Sequence, residues 1–159
     1  MNISEYNQCV KEYTNGVYRF ALKSVGDEEE AKDIVQNCFV VLWEQRELVN
    51  VEKCKSFLFT VAYRKSMDLH RRSRKYGVME EIQENGARPT YEIGLKMSLD
   101  KALANLQPEW RNLVMLKDVE GYSYEEIAQL TELSLSQVKV YLFRARKVLQ
   151  SQLAMYKFQ

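Results

Sequence analysis

Apolar residues recur along this chain at steps of three and four, the period of a helix with one side buried against its neighbours. Tyr6, Val10, Tyr13, Val17 and Phe20 draw the first stripe and predict a helix over residues 4–24, which Gly26 breaks. Asp27, with Glu30 three positions on, has capping-box spacing and opens a second helix. Ala31, Ile34, Val35, Cys38, Phe39, Leu42 and Trp43 form its apolar side. A third helix is expected from about Lys55 to Lys75, buried through Phe57, Leu58, Val61 and Ala62 and strongly basic in its last turns. Three helices with short connections predict a compact N-terminal bundle.

The period fades between Tyr76 and Gly94, where Gly77, Gly86, Pro89 and Gly94 interrupt it and the acids Glu80, Glu81 and Glu84 cluster. That stretch reads as a linker. Leu99, Ala102, Leu103 and Leu106 then resume one face, and Pro108 fits the first position of a helix ending near Gly121. Ser123 with Glu126, and Ser134 with Gln137, repeat the capping-box spacing. Ile127 and Leu130 follow the first pair; Val138, Leu142, Ala145 and Leu149 follow the second. A short helix, a turn and a longer helix between Tyr124 and Leu149 is helix-turn-helix spacing. The expected fold is all-α. A three- to four-helix domain over residues 1–75 and a helix-turn-helix bundle over residues 95–159 are joined by a linker over residues 76–94.

With six glycines and two prolines among 159 residues, the composition suits helices better than a sheet. A net charge of +1 looks neutral until it is split by position. Residues 64–75 carry +5 and residues 139–159 carry +5, while the remainder is acidic. Segregation of this kind suggests two contacts with one polyanion. Cys9, Cys38 and Cys54 are odd in number and include no C-x-x-C pair, so neither a disulfide framework nor a zinc site is signalled. Cys38 lies on an apolar stripe and is expected as a buried free thiol. MNISEY lacks the basic and apolar regions of a signal peptide, and FVVLW is far too short to span a membrane. A reducing cytoplasm is the expected location.

An enzyme reading lacks parts. There is no Gly-rich phosphate loop, no metal spacing and no nucleophile beside a base. His70 is the only histidine, expected on the surface among arginines, so no His-based triad can be assembled. No catalytic residue, metal, cofactor or small-molecule substrate is predicted.

The candidate chemistry is binding chemistry. Off the apolar stripe of SLSQVKVYLFRARKVLQSQL lie Lys139, Phe143, Arg144, Arg146 and Lys147. In a major groove, Lys139 and Arg144 reach guanine edges or phosphates and Phe143 a thymine methyl, with Ser136 and Gln137 near the backbone. The alternative is an ordinary solvated helix, against which Phe143 and Tyr141 lie off the core stripe. The second island, YRKSMDLHRRSRK, interleaves an aromatic with cations as single-stranded DNA requires. Cations at a helix C-terminus are also favoured by the dipole alone. Phe39 and Trp43 read as core, with Asp33 and Gln36 flanking them where a partner could dock; the residues leave both readings open.

Taken together, DEEEAKDIVQNCFVVLW, FLFTVAYRKSMDLHRR and LANLQPEWRNLVMLKDVEGYSYEEIAQLTELSLSQVKVYLFRARKVL resemble the extracytoplasmic-function sigma factors of bacterial RNA polymerase. The likeness covers nearly the whole chain, in the family's order and spacing. It implies sigma regions 2 and 4 joined by a linker, and a cytoplasmic protein that directs core polymerase to promoters. By position it implies that Asp33, Gln36, Phe39 and Trp43 dock on the clamp coiled coil of the largest polymerase subunit, while the C-terminal domain meets the flap region. Tyr63, Arg64, Lys65, Asp68, Arg71 and Arg72 match the part that holds the −10 element. Ser136, Gln137, Lys139, Val140, Phe143, Arg144 and Lys147 match the −35 surface. The family also implies an anti-sigma factor, often attached to a membrane protein. This chain departs from the pattern at Glu132, where many members have Gly, at Gln137 for Thr, at Val140 for a small polar residue and at Arg64 for Asn. Two rivals remain on the residues alone: a free-standing regulator dimerising through the N-terminal bundle, and a protein-only adaptor that leaves both basic islands unexplained.

Overall fold

The structure, a computed structural model, describes residues 1–75 and 95–153; the predicted linker lies outside the described residues. Helices account for nearly all of the described residues, which contain no strand. The chain divides into two compact units, Met1–His70 and Arg71–Gln159.

The first unit is built on α1 (Ile3–Val25), α2 (Glu28–Glu44) and α3 (Cys54–Lys75), with a 3₁₀ turn at Val51–Lys53 before α3. Asn2 opens α1: its side chain accepts from the Glu5 amide at 2.8 Å while the Glu5 carboxylate accepts from the Asn2 amide at 2.9 Å. Gly26 closes it in the left-handed conformation, φ 75°, donating to the Leu22 carbonyl. A side chain there would be strained, which is why the chain turns at a glycine. Asp27 then caps α2 by accepting from the Glu30 amide at 2.9 Å.

Val17, Phe20 and Ala21 of α1 meet Ala31, Ile34, Cys38 and Leu42 of α2, and Cys54, Leu58, Phe59 and Ala62 of α3 complete the core. Phe59, rather than the half-buried Phe57, supplies the α3 ring at its centre, edge-on to Phe20 at 5.6 Å. All three cysteines are buried and free, and the Cys9 and Cys54 thiols share a hydrogen bond between α1 and the start of α3. Burial pushes the Cys38 thiol up to about 12, against a small opposing pull from Lys65, so it stays neutral and unreactive. His70 is not a surface residue. It is 9% exposed, and its Nε2 donates to the Ser24 carbonyl at 3.0 Å, tying the end of α3 to the end of α1.

The second unit comprises α4 (Leu95–Ala104), α5 (Pro108–Val114), a π-helical turn over Met115–Val119, α6 (Tyr124–Thr131) and α7 (Leu135–Gln152). Pro108 begins α5, as its missing amide allows. Arg111 is buried, and its Nη1 reaches the carbonyls of Ala104 and Leu106, both at 3.1 Å, at the end of α4. It thereby satisfies acceptors that a helix C-terminus leaves open. Leu113, Met115, Leu116, Ile127 and Leu130 pack against Val138, Leu142, Ala145 and Leu149 of α7.

Candidate nucleic-acid interface

The start of α7 is fixed by its own sequence. Ser134 Oγ accepts from the Gln137 amide at 3.1 Å, and Gln137 Oε1 accepts from the Ser134 amide at 3.0 Å. The turn before it closes on Glu132, whose φ of 64° is left-handed and whose amide donates to the Ala128 carbonyl at 2.8 Å. Glu132 therefore adopts the geometry that Gly supplies without strain. The side-chain oxygen of Gln137, predicted for DNA, is held in the capping box, which leaves its NH₂ as the free end.

From that start α7 sorts its side chains cleanly. The apolar stripe is buried, and Ser136, Gln137, Lys139, Val140, Phe143, Arg144 and Lys147 all lie on the other side, exposed or half-buried. Phe143 is 63% exposed, with the Lys147 ammonium 5.6 Å from its ring centre. Arg146 is turned away and bonds Asp118 at 2.8 Å, so it is a tether between α7 and the π-helical turn. Tyr141 is half-buried, 6.4 Å from the Trp110 ring. An exposed phenylalanine among cations on a firmly capped helix can meet base edges and phosphates together.

On α3 the cations sort differently. Arg64, Arg71 and Arg72 are exposed, and Lys65 and Asp68 lie along the same helix. Tyr63 departs from the predicted surface. It is 6% exposed, turned into the core next to Ser66, whose hydroxyl donates to the Tyr63 carbonyl at 3.0 Å. The α3 surface over residues 64–74 is therefore electrostatic, without a ring for bases to stack on.

On α2, Asp33 and Gln36 are exposed and Trp43 is 37% exposed, while Phe39 is a core residue at 8%. Tyr6 supports both rings, edge-on to Phe39 at 6.5 Å and to Trp43 at 4.9 Å, and its hydroxyl donates to the Phe39 carbonyl at 2.8 Å. The Arg46 guanidinium lies 3.8 Å over the Trp43 ring. Val40, which sequence reasoning passed over, is the exposed apolar residue between Gln36 and Trp43. Its signal was available: positions 33, 36, 40 and 43 follow the helical period on the side opposite the core.

Among the described residues no cluster of His, Cys, Asp and Glu could hold a metal ion, and no helix is long and apolar enough to cross a membrane. The family model for sigma-70 region 2 matches residues 9–76, and that for sigma-70, region 4, matches residues 96–149. The ferric citrate uptake sigma factor FecI of Escherichia coli (strain K12) is 31% identical over 124 residues, 73% of this chain and 72% of that protein. The chain belongs to the extracytoplasmic-function branch of the sigma-70 family. The ECF RNA polymerase sigma factor SigM of Bacillus subtilis (strain 168) is 27% identical over 157 residues, 95% of this sigma factor and 94% of that one. The fold is shared with sigma factor RpoE, solved in complex with the anti-sigma factor NepR from Bartonella quintana. That match has a TM-score of 0.78 at 22% identity, covering 98% of this chain and all of the other. As a sigma factor the protein is a transcription initiation factor, and its family is not one of known enzymes.

Proposed function

We propose that this sigma factor carries core RNA polymerase to its promoters through three surfaces, one on each of α2, α3 and α7, with 1–75 and 95–159 acting as separate domains. On α2, Asp33, Gln36 and Trp43 meet the clamp coiled coil of the largest polymerase subunit, with Tyr6, packed edge-on to both Trp43 and the buried Phe39, positioning the Trp43 ring. On α3, Arg64, Lys65, Arg71 and Arg72 hold the phosphates of the −10 region as its bases unstack. On α7, Phe143 and Arg144 read the −35 bases, while Lys147, Ser136 and the Gln137 amide lie along the backbone.

The observation that carries this reading is the two-sided character of α7. Its apolar stripe is buried, yet a large aromatic is left exposed between cations at the position where the family meets DNA. A merely solvated helix has no use for Phe143 there. The chemistry of transcription belongs to the polymerase, and the protein acts in the cytoplasm where the polymerase works. An anti-sigma factor covering these surfaces is the proposed control, supported by the RpoE–NepR complex.

The test is run-off transcription. Core polymerase with this chain is used to enrich a promoter from a random duplex pool, and that promoter is transcribed with the Phe143→Ala and Arg144→Ala forms. Specific transcripts that depend on the chain and fall at particular −35 bases in the two variants are expected. Equal transcripts with and without the chain would refute the reading.

A further inference from the structure

Arg46 stands in the turn that follows α2, and none of the three surfaces above uses it. Its guanidinium lies over the Trp43 ring, 3.8 Å from the ring centre. Its Nη1 donates to the Trp43 carbonyl at 2.8 Å, and its backbone amide donates to the same carbonyl at 3.3 Å. Tyr6 holds that ring as well, edge-on at 4.9 Å. A cation is thus mounted on the exposed tryptophan of the α2 surface, and the mount is itself braced from α1.

The charge of Arg46 is unpaired. Glu44 and Glu47 flank it closely in sequence, yet among the described residues it makes no ion pair with them or with any other carboxylate. The dipole at the end of α2 favours a cation there and explains the bond to the Trp43 carbonyl. It does not explain a guanidinium that lies on a ring with two acids within reach along the chain. Among the described residues its Nε and Nη2 protons have no partner, and they keep the fork that matches a carboxylate. Stacking on Trp43 has already ordered the side chain, so a carboxylate arriving there costs little further freedom. The position fits the docking side as well. Residues 33, 36, 40 and 43 follow the helical period along it, and 46 is the next step of three. Asp33, at the other end of that line, also has no ion-pair partner among the described residues. The line therefore runs from an anion to a cation, with the exposed Val40 and Trp43 between them.

We propose that Arg46, held on Trp43, takes a carboxylate of the core-polymerase segment that docks on α2, through a forked pair of hydrogen bonds. This contact rests on the docking reading above and deepens it, because it adds the cation that fixes which way the partner segment lies. Asp33 marks one end of the surface and Arg46 the other, so a segment laid in reverse brings like charges together.

The experiment measures the affinity of the full chain for core polymerase at several salt concentrations. Arg46→Met keeps an unbranched stem against the Trp43 ring and removes the charge. It should bind core about five- to twenty-fold more weakly than the parent at low salt, and its affinity should fall less steeply as salt rises. Arg46→Lys should lose about two- to five-fold, because an ammonium keeps the charge without the fork. Arg46→Glu should lose most. Among core polymerases with single Asp→Arg or Glu→Arg changes in the docking segment, one should restore it. Parent-like affinity in Arg46→Met overturns the proposal, and so does a loss that leaves the salt dependence unchanged, which would mark a packing role alone. If thermal unfolding shows Arg46→Met to be unstable, the restoration of Arg46→Glu decides, and no restoring change among those acids overturns the contact. Trp43→Ala separates this contact from the docking reading. A loss there beside a parent-like Arg46→Met removes the carboxylate contact and keeps the docking surface. Parent-like binding in Trp43→Ala means that the docking reading has failed, and the Arg46 contact fails with it.

Discussion

Residues 64–75 and residues 139–159 each carry a net charge of +5, and each stretch has an aromatic residue at or beside its cations. On α7 that aromatic, Phe143, stands in solvent; on α3 it is Tyr63, and it is packed into the core. The packing explains the contrast. The side of α7 that carries Phe143 is left open to solvent. On α3 the core side continues through Phe59, Ala62, Tyr63, Ser66 and His70, so the helix uses its aromatic in folding and presents only charge. Equal charge thus supports two kinds of contact. The α7 surface has the parts for base readout, whereas the α3 surface has the parts for phosphate contact alone.

Replacing Tyr63 tests that contrast with the largest expected effect. Tyr63→Ala should lower the unfolding free energy by about 3 kcal/mol, as removal of a buried ring does. Tyr63→Leu, which keeps apolar volume without a ring, should fold and still open promoters. Open complexes absent from a stable Tyr63→Leu protein would return the ring to the DNA surface and erase the difference between the helices.

Next in size is Arg144→Ala, expected to weaken binding by about 1–3 kcal/mol at particular −35 bases and little elsewhere. Binding to a panel of singly substituted promoters would read this directly. Replacing Arg71 and Arg72 by Ala should do the opposite, weakening all promoters alike and flattening the salt slope by about 0.7 for each single-strand phosphate left without its cation. A change of sequence preference in that double variant would make α3 a reader as well.

The smallest effect concerns the turn that aims α7. Glu132→Gly relieves left-handed strain of about 1–2 kcal/mol but adds roughly 0.4–1 kcal/mol of freedom to the unfolded chain. The net should be a gain of about 0.5 kcal/mol in thermal unfolding, with −35 preference unchanged. A loss of stability would mean that the Glu132 side chain contributes more than its backbone strain removes.

The same physical asymmetry decides what the sequence disclosed. The stripe Val138, Leu142, Ala145 and Leu149 was legible because every buried position holds an apolar residue, and the capping pairs at Ser123 and Ser134 mark their helices locally. The α3 stripe was obscured past Ala62 because Tyr63, Ser66 and His70 look like surface residues until their partners are in place. His70 becomes core only when the Ser24 carbonyl of α1 reaches it, and Arg111 becomes a helix cap only when the end of α4 folds over it. On α2 the sequence placed Phe39 and Trp43 on one apolar side; Tyr6 separates them, burying the first and leaving the second at the surface. The Arg46 guanidinium reaches Trp43 only once the chain turns after α2, and no apolar spacing encodes it.

The most direct measurement is gel filtration of the purified chain mixed with core RNA polymerase, alone and with the enriched promoter duplex. The chain should comigrate with core at one copy per polymerase, bind duplex only weakly by itself, and lose comigration when Trp43 and Gln36 are replaced by Ala. A chain that elutes apart from core yet binds symmetric duplex sites tightly as a dimer would contradict the sigma-factor assignment of its surfaces.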